Sequence, residues 1–382
     1  AGNRPEALYP QYDLYSVSAN YDGRPGMLIS QLGNPDLTWE RTYTTGFGID
    51  ASLWDNRLHF NLDLYSKKTD NILYNVPVTG LIGVTNIYRN IGKMDNRGVE
   101  FAIGGDVIRS KDFTWSLDAN LGHNANKLTD IFRQYDATTG QFVAKPVIIG
   151  DGTGISGTAS RILEIGSPID TYYMKEWAGV NKEDGRPQWY KDDGKGGKVV
   201  TKNDAEADYY KLGNAAPKLF GGFSTNLRWR QLDFALAFGY SLGGQIYNYS
   251  RQEYDSDLAY ADRNQMVLRP GWSRWQKAGD EATHPRALYN NKDGGNKASS
   301  RYLEDASFLK LRSLSLGYNF SLPQLKIQTL RLYVNAENLL TFTKYSGVDP
   351  ELPSSSGTVM GTTLPGVYPP VRKVIFGLNL SL

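Results

Sequence analysis

Apolar and polar residues alternate with a period of two along most of the chain, the repeat that sends successive side chains to opposite faces of a β-strand. In residues 57–65, Leu58, Phe60, Leu62 and Leu64 share one face, while Arg57, His59, Asn61, Asp63 and Tyr65 share the other. The last residues repeat the pattern, with Val374, Phe376, Leu378, Leu380 and Leu382 opposite Ile375, Gly377, Asn379 and Ser381. Segments 43–53, 99–103, 113–121, 223–229, 232–240, 314–320 and 330–336 read the same way, making nine strong strands. Residues 171–180 predict a weaker tenth, and residues 188–190 an eleventh.

The connections alternate in length. Residues 54–56, 108–112, 230–231 and 321–326 are short links, whereas 73–94, 127–167, 244–301 and 345–366 are long ones. In an up-and-down sheet alternate connections lie at the same end, so one rim is trimmed and the other is elaborate. Membrane β-barrels have this asymmetry, with short turns on one side, long loops on the other, and strands of about 10 residues that alternate apolar-out and polar-in. A soluble β-sandwich also alternates. Its strands are shorter, however, and its two ends do not differ so consistently in loop length. The polar faces here are rich in Gly, Ser, Asn and Asp, which suits a wet lumen better than a Lys/Glu exterior.

Composition narrows the function classes. The 382 residues hold 42 Lys+Arg against 40 Asp+Glu, a formal charge of +2, so no global field recruits nucleic acid. There is no cysteine, which removes disulfides, thiolate metal sites and thiol nucleophiles together. The 40 Gly, 25 Tyr and 8 Trp fit turn-rich β structure with amphipathic rings. The longest apolar run, Phe234 to Phe238, is far short of the ~18 residues of a membrane-spanning helix, which excludes helical spans but not β spans. Ala1-Gly2-Asn3-Arg4-Pro5 has neither the basic start nor the apolar core of a signal peptide. The expectation is a protein that stays inside, or a piece of something longer.

Four segments carry a family resemblance. Asn34-Pro35-Asp36-Leu37-Thr38-Trp39-Glu40 before a strand, and Met94-Asp95-Asn96-Arg97-Gly98-Val99-Glu100, resemble segments of the SusC/RagA family of TonB-dependent outer-membrane transporters. Tyr302-Leu303-Glu304-Asp305-Ala306-Ser307-Phe308-Leu309-Lys310-Leu311 is similar to the family's Y-L-E-D-G-S-F-L-R-L run. Leu330 to Leu339, followed by Tyr345-Ser346-Gly347-Val348-Asp349-Pro350-Glu351, resembles its penultimate strand and the loop after it. The resemblance implies an all-β fold: residues 1–382 are the C-terminal half, about ten or eleven antiparallel strands, of a barrel of about 22 strands with long extracellular loops. The plug domain and N-terminal half of the barrel are not in this chain.

The resemblance further implies an outer-membrane location in a Gram-negative, Bacteroidetes-like bacterium, in contact with lipid and lipopolysaccharide. It implies import of oligosaccharides or peptides with a SusD-like surface lipoprotein, and a plug displaced by the TonB–ExbBD machinery. The alternatives are a passive porin or adhesin barrel, and a soluble β-rich glycan-binding module. Two departures stand out. The family's acidic Asp-Gly loop survives only as Lys191-Asp192-Asp193-Gly194-Lys195-Gly196-Gly197, so calcium is not expected there, and the chain ends in Leu382 where an aromatic residue is common.

Catalytic chemistry finds little support. Gly152-Thr153-Gly154-Ile155-Ser156-Gly157 spells G-x-G-x-x-G, but the residues up to Gly166-Ser167-Pro168 are too few for the helix that would hold a pyrophosphate. His59, His123 and His284 are far apart, lack a G-x-S-x-G partner, and read as solvated. Glu304-Asp305 and the pair Asp349 and Glu351 suit a glycosidase by residue type, but their place at strand–loop borders favours a structural role. No enzymatic activity, metal or cofactor is expected. Aromatic residues of the long loops are the candidate cargo contacts, since a flat ring offers an apolar face to a sugar or a peptide side chain. These are Tyr172, Tyr173, Trp177, Trp189 and Tyr190 in one cluster, and Tyr247, Tyr249, Trp272 and Trp275 in another.

Overall fold

A computed structural model of the chain describes residues 9–78, 83–150, 159–322, 324, 327–351, 362–363 and 368–381. Nine strands form one antiparallel sheet in chain order: β1 (Arg41–Leu53), β2 (Leu58–Asp70), β3 (Lys93–Arg109), β4 (Phe113–Asp130), β5 (Leu219–Trp229), β6 (Leu232–Leu242), β7 (Phe308–Leu322), β8 (Ile327–Thr343) and β9 (Lys373–Ser381). Each overlaps one of the nine segments whose alternation predicts a strand. The sheet is open, with β1 and β9 as its edges. Leu382 lies outside the described residues.

The register keeps the two faces apart across the wall. On one face Phe47 pairs with Leu64, Leu62 with Phe101 and Phe101 with Leu121. The row continues through Phe223 with Phe238, Leu236 with Leu314, Leu316 with Val334, and Val334 with Phe376. Among the described residues no second protein layer covers this face: Phe47 is 60% exposed, Leu378 59% and Phe376 78%. A row of bare Leu, Phe and Val from one edge to the other is unfavourable in water and favourable in hydrocarbon. The reverse face pairs Asp50 with Asn61, Asp118 with Ser224, Ser315 with Asn335 and Asn319 with Arg331.

The sequence-predicted tenth and eleventh strands exist but pair outside the wall. Residues 171–180 divide at Glu176 into Thr171–Lys175, in a four-stranded sheet, and Trp177–Val180, which joins Pro187–Asp192 and Lys198–Thr201 in a three-stranded one. All these strands belong to the connection between β4 and β5. The links at 54–57, 110–112, 230–231 and 323–326 are short, while 71–92, 131–218, 243–307 and 344–372 are long, so the elaborate loops share one rim.

The buried core lies in those loops. Ala159, Tyr172, Met174, Ala215, Tyr247, Tyr249 and Tyr302 form one cluster, with the Tyr247 ring 4.8 Å from Tyr249 and 6.2 Å from Tyr302. The phenols of this cluster find partners, as the cost of an unmet polar tip requires. The Tyr247 hydroxyl donates to Gln252, Tyr302 donates to the Asp255 carbonyl, and Tyr249 accepts from the Ala159 amide. Beside this cluster, Arg301 donates to both oxygens of Asp257 and lies 3.4 Å from Asp255, while Arg274 donates to Asp257 at 2.7 Å. Charges this deeply buried are tolerated because each carboxylate faces several cations.

Two outcomes follow for the full-length protein in lipid vesicles. Leu332→Lys on the apolar face lowers the folding free energy by about 2–4 kcal/mol, whereas Asn335→Ser on the reverse face changes it by less than about 0.5 kcal/mol. Urea titration read by heat-modifiable gel mobility checks both. Arg301→Ala takes one cation from each of two buried carboxylates, Asp255 and Asp257, and costs the loop assembly about 3 kcal/mol. Near-ultraviolet circular dichroism loses its loop signal, while the far-ultraviolet signal of the wall is retained.

Candidate functional site

Two surfaces are available for recognition: the polar face of the wall and the loop assembly above it. The polar face is held by short side-chain bonds between neighbouring strands. Arg331 donates to Asp233 at 2.6 Å, Asn319 to the same carboxylate at 3.2 Å, and Ser116 to Asp106 at 2.8 Å. Around Asp50, Ser52, His59, Asn61, Asp118 and Asn120 the face is hollowed into a depression of 410 Å³. His59 and His123 both lie at this wall, His59 3.4 Å from Asp118 and His123 against the Lys218 carbonyl.

The family-like segments turn out to be fasteners. In the Met94–Glu100 segment, a Cβ on Gly98 would stand 2.3 Å from the Tyr65 phenol and 2.6 Å from the His123 carbonyl, so the ring of the next strand needs glycine beneath it. Asn34 donates to the Tyr88 carbonyl, the Thr38 amide to Asn90, and the Leu73 amide to Glu40, tying the entry of β1 to the hairpin Leu73–Pro77/Asn86–Asn90. The 302–311 and 345–351 segments bind each other. Glu304 accepts from the amide and hydroxyl of Ser346, both at 2.6 Å, and from Arg251 at 3.2 Å. Lys310, buried at the start of β7, donates to Asp349 at 2.6 and 2.7 Å and to Glu351 at 2.5 Å. Burial alone would raise the Glu351 carboxyl, but Arg312 and Lys310 hold it below the usual carboxylate range. These carboxylates are occupied by donors, in keeping with the structural role read from their positions.

His284 departs from expectation. It is 1% exposed rather than solvated, because the long connection from β6 to β7 folds back over it. Its Nε2–H donates to Asp255 at 2.9 Å, and its Nδ1 meets the Thr283 hydroxyl at 2.7 Å. Burial would raise the Asp255 carboxyl, yet the His284 hydrogen bond with the charges of Arg301 and Arg251 keeps it low. The bond from Arg301 to Asp257 spans 44 residues of sequence, a separation at which no local spacing signals a pair.

The nine candidate aromatics divide by burial. Tyr172, Trp189, Tyr247 and Tyr249 are buried in the loop interior. Trp177 is half-buried against Trp189, edge to face at 5.7 Å, under the Arg301 guanidinium. Trp272 packs on His284, with Arg251 over its ring, and the Trp275 indole donates to the Lys182 carbonyl at 2.8 Å. Tyr173 and Tyr190 keep partly open faces, Tyr173 beside Tyr209 at 5.5 Å and Tyr190 beneath Lys198. Tyr209, 47% exposed, joins this surface from a strand that the alternation pattern did not reveal. Asp192 and Asp193 accept from the amides of their own turn. The Gly152–Gly157 motif lies outside the described residues.

Comparison with known proteins accounts for this architecture. A family model described as TonB dependent receptor-like, beta-barrel, matches residues 3–215. TonB-dependent receptor P3 of Formosa agariphila is 32% identical over 380 residues, covering 93% of this chain and 35% of that receptor. TonB-dependent receptor SusC of Bacteroides thetaiotaomicron is 26% identical over 388 residues, covering 99% of this chain and 35% of SusC. The solved RagAB peptide importer in its 'closed-closed' state superposes with a TM-score of 0.79 at 28% identity, over 99% of this chain and 39% of that one. The chain thus spans little more than a third of the length of these relatives. With its bare apolar face, polar reverse and one rim of long self-packed loops, it belongs to the TonB-dependent receptor β-barrel family and corresponds to the C-terminal part of the barrel.

Proposed function

We propose that the full-length protein is an active importer of the outer membrane, taking up oligomeric nutrients, peptides or oligosaccharides, beneath a SusD-like surface lipoprotein and with energy delivered through TonB. The observation that carries this reading is the wall itself: an unbroken apolar face left bare on one side, and a hydrogen-bonded polar face on the other. A soluble glycan-binding module would have to cover that apolar face. The likeness to SusC and to the RagAB peptide importer supports transport over adhesion. A barrel of about 22 strands would leak if left open, which is the physical need for a plug and for energy to move it.

In this arrangement the present chain supplies wall, lumen lining and external loops, and no covalent step is asked of it. Cargo contact falls to the loop aromatics that retain open faces, Tyr173 and Tyr190 with Tyr209 beside them. Trp177, Trp272 and Trp275 act one layer back, holding the loops that present these rings. Tyr172, Trp189, Tyr247 and Tyr249 contribute by filling the loop interior.

Deleting the inner-membrane coupling protein in the native organism abolishes cargo uptake, measured with labelled nutrient; undiminished import means a passive pore. Tyr173→Ala raises the half-saturating cargo concentration roughly three- to tenfold while leaving the amount of assembled barrel unchanged. Transport assays at matched receptor levels read that shift, and an unaltered value removes Tyr173 from the cargo surface.

A further inference from the structure

One cavity bears on the class of cargo. Where strand Tyr209–Asn214 of the loop assembly meets the long-loop ends of β4, β5 and β6, a hollow of 620 Å³ opens. That is the size of an ordinary small-ligand site, about 300–1,000 Å³. Among the described residues its lining contains no phenyl, phenol or indole ring. Carboxamides take their place: Asn124, Asn126, Asn214 and Gln245.

Two polar atoms of this lining are buried without a hydrogen-bond partner, Nδ2 of Asn214 and Oε1 of Gln245. The other end of Asn214 is already used, since its Oδ1 accepts from the Ala216 amide at 2.7 Å. The unmet atoms are therefore one donor and one acceptor. Burying such atoms unpaired is costly, and the terminal torsion of a carboxamide is soft. The pair is placed to turn toward a group that offers an acceptor and a donor together.

Glycines shape the floor. A Cβ on Gly213 would overlap Oε1 of Gln245, and one on Gly244 would stand 2.7 Å from the Ala215 carbonyl. Any side chain at either position would intrude on the cradle, so glycine leaves room for main chain to approach. The stem of Lys218 lies across Gly243, 3.0 Å from where a Cβ would sit. Asp305, on the opposite rim, is engaged by the amide and hydroxyl of Ser307. The rim thus presents the Lys218 ammonium on one side and the Asp305 carboxylate, already engaged by Ser307, on the other.

We propose that this cavity is a subsite for the main chain of an extended peptide, with Asn214 donating to a carbonyl, Gln245 accepting from an amide, and Lys218 facing an acidic side chain or a terminal carboxylate. A pyranose gains much of its affinity from a flat ring against its C–H face, and the cavity offers none. The inference rests on the importer reading and deepens it.

The test uses the full-length protein, purified in detergent with its surface lipoprotein, and a tryptic casein digest as probe, with maltodextrins as the oligosaccharide arm. Peptides retained by the protein are identified by mass spectrometry. Gln245→Leu and Asn214→Ser each weaken peptide retention roughly three- to tenfold. Lys218→Glu, at an exposed rim position, shifts the retained set toward basic peptides. Peptide retention unchanged in all three variants overturns the subsite, as does retention of maltodextrins in place of peptides. Labelled-peptide uptake by the wild type, with and without the coupling protein, is measured in parallel. Uptake that persists without coupling sinks the importer reading, whereas coupled uptake with unaltered variants sinks only the subsite.

Discussion

The structure depends on one constraint: a strand that crosses hydrocarbon must satisfy every backbone N–H and C=O through its neighbours while facing lipid on one side and water on the other. Each inner strand, β2 to β8, pairs with a neighbour on both sides over its central stretch, and the ends of β4 and β8 that run toward the long loops pair on one side. The side chains then have no freedom of phase. A slip of β8 by one residue against β7 would carry Val334 into the lumen and Asn335 into lipid. The register is fixed by the two solvents as much as by any turn.

A sheet that spends its apolar face on lipid has none left with which to build a core. The long loops meet this need themselves, with a tyrosine-lined interior and with carboxylates clamped by arginines and His284. Tyrosine suits the task because it fills volume as an aromatic while its hydroxyl can reach a backbone group or amide side chain. The wall and the loop assembly are then stabilised by different forces, lipid burial in one and dense internal packing in the other. They are joined at fasteners such as Lys310 with Asp349 and Glu351, where the first residues of β7 grip the connection that follows β8.

The same division explains what could be read from sequence. All nine wall strands were legible, because lipid on one face and water on the other write a period of two that local composition cannot disguise. Alternation in connection length gave the rims for the same reason. The loop interior was not legible. Residues 171–180 read as one strand, but Glu176 breaks them into two that join different sheets, and this is decided by partners that enter from residues 209–214 and 187–192. Tyr172 and Tyr173 are adjacent and chemically identical, yet one is fully buried and the other half-open, because neighbours on a strand face opposite ways. His284 looked solvated beside Pro285, and its partner Asp255 lies 29 residues earlier, beyond any window that a local pattern can see.

The free edges of the sheet complete the argument. The outer edges of β1, thirteen residues long, and of β9, nine residues long, present main-chain groups that hydrocarbon cannot satisfy. A wall built this way is stable in a membrane only when further strands close it, and the relatives carry additional polypeptide well beyond the span matched here. Closure also sets the curvature of the sheet, whose polar face carries the depression at Asp50 and Asp118. The polar face stays turned from lipid because hydrocarbon on the opposite side takes up the Leu, Phe and Val side chains that water would not.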